Sequence, residues 1–340
     1  MRLILKSVAA LLLCALASAA SADTRTIKIA TAAPEGTSWM KEIRVAAEQV
    51  KQRTQGRLEL KYYPGGVMGN DAAVLRKIKL GQLQGGAFTA AELSQVYKDA
   101  PIYSVPFQFH AQGEVDYVRT KMDEDLRRGI AQSGMVAIGM AGGGFVYLMG
   151  TKPIRNSADL RASKVWSPQT DRIAQVALQA GGVEPVLLPL SDVYTALQTG
   201  LVETVANTLA GSIAFQWHTK VKYVVELPLT YVMGIMVVDK KIYDQLSPED
   251  QKALSEEMQK AFSRLDGENS KDNEQARAAL VKQGIEFLTP GPQEVAYWQG
   301  VGAEAAKRLN AENAFTPELY QKMVSAIAEY RAQHGGDKPK

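Results

Sequence analysis

The sequence predicts an α/β protein of two lobes with a cleft between them, and three observations carry that expectation. Short β runs alternate with helical segments along the body of the chain, the pattern of α/β domains. The alternation is interrupted at Gly142-Gly143-Gly144 and starts afresh at Val146. Beyond Ser247 comes a helical segment so long and so unevenly apolar that it reads as a beam laid across two bodies.

Taken in order, Thr26–Ala30 reads as a strand, and Ser38 then caps a helix running to about Thr54. Arg57–Tyr63 is a second strand, ended by Pro64-Gly65-Gly66, and a helix from Asp71 to Leu80 stops at Gly81. Met135–Met140 is a further strand, and the glycine triplet breaks the chain after it as a flexible crossing between lobes. Strands near Val146–Met149, Lys164–Trp166, Val186–Leu188 and Val205–Ala206 then alternate with helices over 170–180 and 191–199. Val232–Asp239 is a long apolar β run.

The long helix has a well-marked start. Ser247 is an N-cap, Pro248 suits the first helical position, and Glu249-Asp250 place negative charge at the positive end of the helix dipole. With Gly284 as its stop, a continuous helix would have about 36 residues and span about 54 Å. Leu254, Met258, Phe262 and Leu265 cluster at one end, and Ala276, Ala279 and Leu280 at the other. Asp266 to Gln275 is almost wholly polar, as befits a stretch crossing a gap. The alternative is two helices broken at Gly267.

The first 22 residues read as a cleavable export signal. Arg2 and Lys6 supply the positive region, Val8–Ala17 the apolar one, and Ala20-Ser21-Ala22 the cleavage site. The apolar run is shorter than the roughly 20 residues that span a bilayer, and no later segment is long and apolar enough. Leu13 before Cys14 is too large for a lipoprotein signal, so no lipid anchor is expected. Losing Arg2 and Lys6 leaves 37 basic residues against 36 acidic, which argues against a nucleic-acid partner. Losing Cys14, the one cysteine, excludes disulfides, thiolate zinc sites and cysteine nucleophiles.

Motifs that carry catalysis are missing. No Gly-x-Ser-x-Gly elbow, His-Glu-x-x-His pair or phosphate loop occurs, and His110, His218 and His334 are far apart. The glycine triplet lacks the spacing of a dinucleotide fingerprint, so no cofactor or metal is expected. Asp123-Glu124-Asp125 with Arg127-Arg128 reads as a solvated helix face.

Four segments resemble a known family in order and along nearly all of the chain. They are Ala33-Pro-Glu-Gly-Thr-Ser-Trp39, Tyr63-Pro-Gly-Gly-Val-Met-Gly69, Leu188-Pro-Leu-Ser-Asp-Val-Tyr-Thr-Ala-Leu-Gln-Thr-Gly-Leu-Val-Glu203 and Tyr243-Asp-Gln-Leu-Ser-Pro-Glu-Asp-Gln-Lys-Ala-Leu254. They are similar to the solute receptors of tripartite ATP-independent periplasmic (TRAP) transporters, the DctP-like family. The resemblance implies a periplasmic, non-enzymatic receptor that closes two lobes on a small organic solute by hinge motion and presents it to a TRAP permease. It implies crossings near Gly142–Phe145 and Leu229–Met233. Lobe I is then 23–143 plus 232–270, lobe II is 144–231 plus 271–320, and 321–340 is a C-terminal helix end and polar tail.

The family holds a substrate carboxylate with arginines, because a planar guanidinium makes two parallel charge-assisted bonds. At the matching positions this chain has Trp166 and Val146. The resemblance therefore gives Trp166 as an aromatic wall, Asn207 as a retained polar anchor, and Asp171, Gln169, Asn70 and Thr89 as selectivity residues. Trp39 and Tyr147 complete the candidate ligand-binding set. Bland readings stand beside these: core packing for Trp166, helix capping for Asp171, and a staple, a turn residue and a strand-end cap for Trp39, Asn70 and Thr89. Two rival functions also remain open at this level: an exported hydrolase or lyase on the same lobes, and a receptor serving a sensor kinase or another importer.

Overall fold

The computed structural model describes residues 24–335, so the export signal, its cleavage site at Ala20-Ser21-Ala22 and the last five residues lie outside the described residues. In chain order the strands are β1 (Arg25–Thr31), β2 (Leu58–Tyr63), β3 (Gly85–Thr89), β4 (Met135–Gly150), β5 (Trp166–Pro168), β6 (Val186–Leu188), β7 (Thr204–Asn207), β8 (Tyr223–Val225), β9 (Thr230–Asp239) and β10 (Glu286–Leu288). The main sheet runs β10-β8-β4-β9-β3-β1-β2, with β7 also paired to β4, while β5 and β6 form a separate parallel pair.

Two strands make this one sheet serve two lobes. From Met135 to Val146, β4 pairs antiparallel with β9 beside β3, β1 and β2, whereas its last four residues pair with β7 and β8. The break expected at Gly142-Gly143-Gly144 is not there: β4 is a continuous strand of 16 residues. Instead, the β4–β9 register shifts between Gly142 and Gly144, a bulge with Gly143 as its extra residue. A bulge bends and twists a strand without ending it. Gly144 sits at φ +110°, which residues with a side chain rarely adopt, and a Cβ there would lie 2.8 Å from Asn273 Nδ2.

The long helix runs unbroken from Pro248 to Lys282, 35 residues, through Gly267. Ser247 caps it, its hydroxyl accepting from the Asp250 N–H at 3.1 Å. Leu254, Met258, Phe262 and Leu265 are fully buried against β1, β4, β9 and the helix Ser38–Arg53. Ala276 and Leu280 enter a different core, with Met149, Val205 and Trp217. Each of the large side chains contributes about 1.5–3 kcal/mol by leaving water, so each end of the helix is fixed to its own lobe.

The polar middle of that helix is bonded to the crossing. Asp266 Oδ1 accepts from the Gly142 N–H at 2.7 Å, and Asn269 Nδ2 donates to the Gly142 carbonyl at 2.7 Å. Asn273 Nδ2 donates to the Gly143 carbonyl at 3.0 Å while its Oδ1 accepts from the Ala210 N–H at 3.2 Å. The bulge takes backbone groups out of the strand ladder, and the helix side chains satisfy them.

Two further helices, Pro292–Ala311 and Pro317–Gln333, pack on Arg172–Ala180 and Gln112–Gln132 respectively. Glu114, fully buried, ties the last of these down by accepting from Arg331 Nε and from the His110 N–H, both at 2.6 Å. Several element boundaries differ from expectation. Thr37, not Ser38, caps the first helix, since its hydroxyl accepts from the Met40 N–H at 3.3 Å. The strand expected over Lys164–Trp166 lies at Trp166–Pro168, and the helix expected over 170–180 begins at Arg172. Among the described residues no helix is long and apolar enough to cross a membrane.

Candidate ligand-binding cleft

A cavity of about 690 Å³ lies at the seam between the lobes, beneath the β4–β9 crossing. Residues from the ends of β1, β3, β5 and β7, the helix starts that follow them and the long helix all face it. Its walls are largely apolar, with aromatic rings from Trp39, Phe88, Phe107, Trp166, Phe215 and Trp298. Such a size and lining suit a small organic molecule. Phe107 holds φ +57°, an unusual conformation for a residue with a side chain, fixed by its N–H donating to the Leu229 carbonyl at 2.8 Å. Gly302 makes room for it, since a Cβ there would lie 2.6 Å from Phe107 Cδ2.

Trp39, Thr89, Trp166, Asp171 and Asn207 line the cavity. Asn70 and Gln169 line an adjoining cavity of about 360 Å³. Tyr147 is on neither lining; side chains alternate along a strand, so Val146 and Leu148 face the cavity while Tyr147 packs against the core of Met149, Val205 and Trp217. Tyr147 therefore leaves the candidate set.

Several of these side chains have structural bonds as well. Trp166 is 5 % exposed, donates its indole N–H to the Leu188 carbonyl at 3.0 Å and meets Trp217 edge to face at 5.3 Å. It is both core and wall. Asn70 and Thr89 are N-caps, accepting from the Ala73 and Glu92 N–H groups. Asn207 Oδ1 accepts from the Thr208 N–H at 2.8 Å, just before the helix Leu209–Ala214. Trp39 packs edge to face on Phe262 at 5.0 Å, and its indole N–H is buried with no partner among the described residues.

The titratable side chains on the lining are all acidic: Asp71, Glu92, Asp171 and Asp272. The Thr170 hydroxyl donates to the Glu92 carboxylate, so the lobes meet at the mouth of the cleft. Burial, and then the charge of Glu92, push the Asp71 carboxyl up to about 7. Glu92 is also raised, by burial first and with a contribution from Asp171, against the Thr170 bond that lowers it. Asp171 caps Arg172–Ala180 by accepting from the Ala174 N–H at 3.0 Å, yet burial outweighs that bond and raises its carboxyl too. Sequence reasoning had not picked out Asp71, Glu92 or Asp272. Asp71 and Glu92 stand in the first turns of their helices and Asp272 in a polar stretch of the long helix, places where an acidic side chain looks ordinary.

A family model for bacterial extracellular solute-binding proteins, family 7, matches residues 29–313. The chain belongs to that family, the DctP family. Among curated relatives of this solute-binding protein, the 2,3-diketo-L-gulonate-binding periplasmic protein YiaO of Escherichia coli is 24% identical over 71% of this chain and 74% of its own. The C4-dicarboxylate-binding periplasmic protein DctP of Rhodobacter capsulatus is 23% identical over 78% of this chain and 81% of its own. The crystal structure of a TRAP periplasmic solute-binding protein from Xanthobacter autotrophicus, with bound β-D-galacturonate, superposes with a TM-score of 0.82. It is 19% identical, covering 89% of this chain and 99% of its own, and its likeness establishes the shared two-lobed fold. The two positions where the resemblance implies an arginine, Val146 and Trp166, both line the cavity of this family member.

Proposed function

We propose that the chain works in the periplasm as a non-enzymatic TRAP receptor, holding a small organic solute between its lobes and delivering it to a membrane permease. One observation carries the reading: a cavity of about 690 Å³ lies at the seam of two lobes that remain joined by continuous elements, β4, β9 and the long helix. A solute touching both walls favours the arrangement in which the walls are close, and only that differential affinity shifts a hinge equilibrium. We take the lobes as 23–143 with 232–270 and 144–231 with 271–320. Trp166 and Asn207 on one side face Trp39 and Thr89 on the other, with Asp171 at the mouth and Asn70 and Gln169 in the adjoining space.

Small-angle scattering and thermal melting of the protein lacking residues 1–22 test this together. A bound solute is expected to reduce the radius of gyration and, at a hundred times its Kd, to add about 2.7 kcal/mol of stability. The solute should be recovered unchanged, and proteoliposomes holding a cognate permease should take it up only with the receptor present. Conversion of the solute would put an enzyme in place of this reading. Uptake indifferent to the receptor would remove the permease from it.

A further inference from the structure

Resting on that reading, we propose that the solute carried in this cleft bears a positively charged amine on an apolar body, and that simple carboxylates are rejected. Among the described residues no lysine, arginine or histidine lines the interlobe cavity, while Asp71, Glu92, Asp171 and Asp272 do. A carboxylate entering this space would give up water without gaining a cationic partner, and would do so beside existing negative charge. An ammonium group meets the reverse situation.

The placement of the acids ties charge to closure. Asp71 and Glu92 belong to lobe I, and Asp171 belongs to lobe II across the mouth. Burial first, and then the charge of Glu92 beside it, hold the Asp71 carboxyl up; burial and, across the gap, the charge of Asp171 raise Glu92. A cation between them relieves that repulsion most when the lobes are close, which is the differential affinity a hinge requires. Aromatic rings from both lobes, Trp39 and Phe88 on one side and Trp166 and Phe215 on the other, supply the remaining wall. Ring faces attract ammonium groups, and ring bodies cover an apolar chain.

A matched series separates head-group charge from apolar fit: 4-phenylbutylamine, 4-phenylbutan-1-ol and 4-phenylbutyrate, titrated calorimetrically into the same protein with millimolar calcium present throughout. The amine is expected to bind at least tenfold more tightly than the alcohol, with the carboxylate weakest. Glu92→Gln and Asp71→Asn should each weaken the amine about tenfold more than they weaken the alcohol. The two variants, at separate sites, guard against a folding defect in either. Equal affinity for amine and alcohol overturns the proposal, as does a carboxylate that binds as well as the amine, with or without help from calcium. Absence of binding by all three overturns it as well. In each of those cases the receptor reading stands if scattering still detects compaction by some other solute, and falls if a broad solute library produces none.

Discussion

The two sides of the interlobe seam are built from different materials. At the back, Gly142 and Gly143 in the β4 bulge are bonded to Asp266, Asn269 and Asn273, and Asp266 in turn accepts from Arg119, whose side chain is only 12 % exposed. At the mouth, contact rests on the Thr170 hydroxyl donating to the Glu92 carboxylate. A saturated, sheltered network resists rearrangement, whereas a single bond between the walls is all that has to part at the mouth. The difference teaches where this molecule is fixed and where it can part.

The comparison is open to attack at the back first. Asp266→Ala removes the acceptor for the Gly142 N–H and one partner of Arg119, and it is expected to cost about 3 kcal/mol in urea unfolding. A loss below about 1 kcal/mol, the level of a surface pair, would mean that the back is no firmer than the mouth. Gly144→Ala should cost about 2 kcal/mol, because it forces a side chain into a positive-φ position against Asn273. Melting temperature reads the stability, and scattering shows whether the lobes keep their resting separation.

The effect at the mouth depends on pH. The Asp71 carboxyl is raised to about 7, by burial before the charge of Glu92, so the folded protein keeps a proton that the unfolded chain has already released. Stability from this site is therefore fully present below the unfolded value near pH 4, and it is lost as pH rises toward about 7. Asp71→Asn, which has no proton to lose, should gain progressively on the natural protein across that window, seen as diverging melting temperatures. Parallel pH profiles would show that Asp71 is not held in the folded state as described.

Much of the long helix was legible in the sequence, for a physical reason. Ser247, Pro248 and Glu249-Asp250 are local start signals, and the apolar–polar–apolar sequence reports two cores and the space between them. The bulge was not legible, because a strand's register is decided by its partner, and β9 lies some ninety residues further along the chain. Glycines that looked like a break proved to be a place where the strand bends and continues. Tyr147 was misplaced for a related reason, since which face of β4 it occupies depends on that register. In the cleft, Trp166, Asp171 and Asn207 could be placed by the resemblance, but their capping and packing bonds could not. The acidic character of the lining emerges only when Asp71 and Glu92 are brought against Asp171, from distant parts of the chain.

One consequence of the unbroken helix from Pro248 to Lys282 is mechanical. A rod anchored at both ends, and pinned along its middle to the crossing strand, turns any change of angle between the lobes into elastic bending of a single element. The molecule then behaves as a sprung clip, with a rest angle written into the helix rather than into the cargo. Gly267, the residue of least helical preference in that stretch, is where such a clip yields most easily.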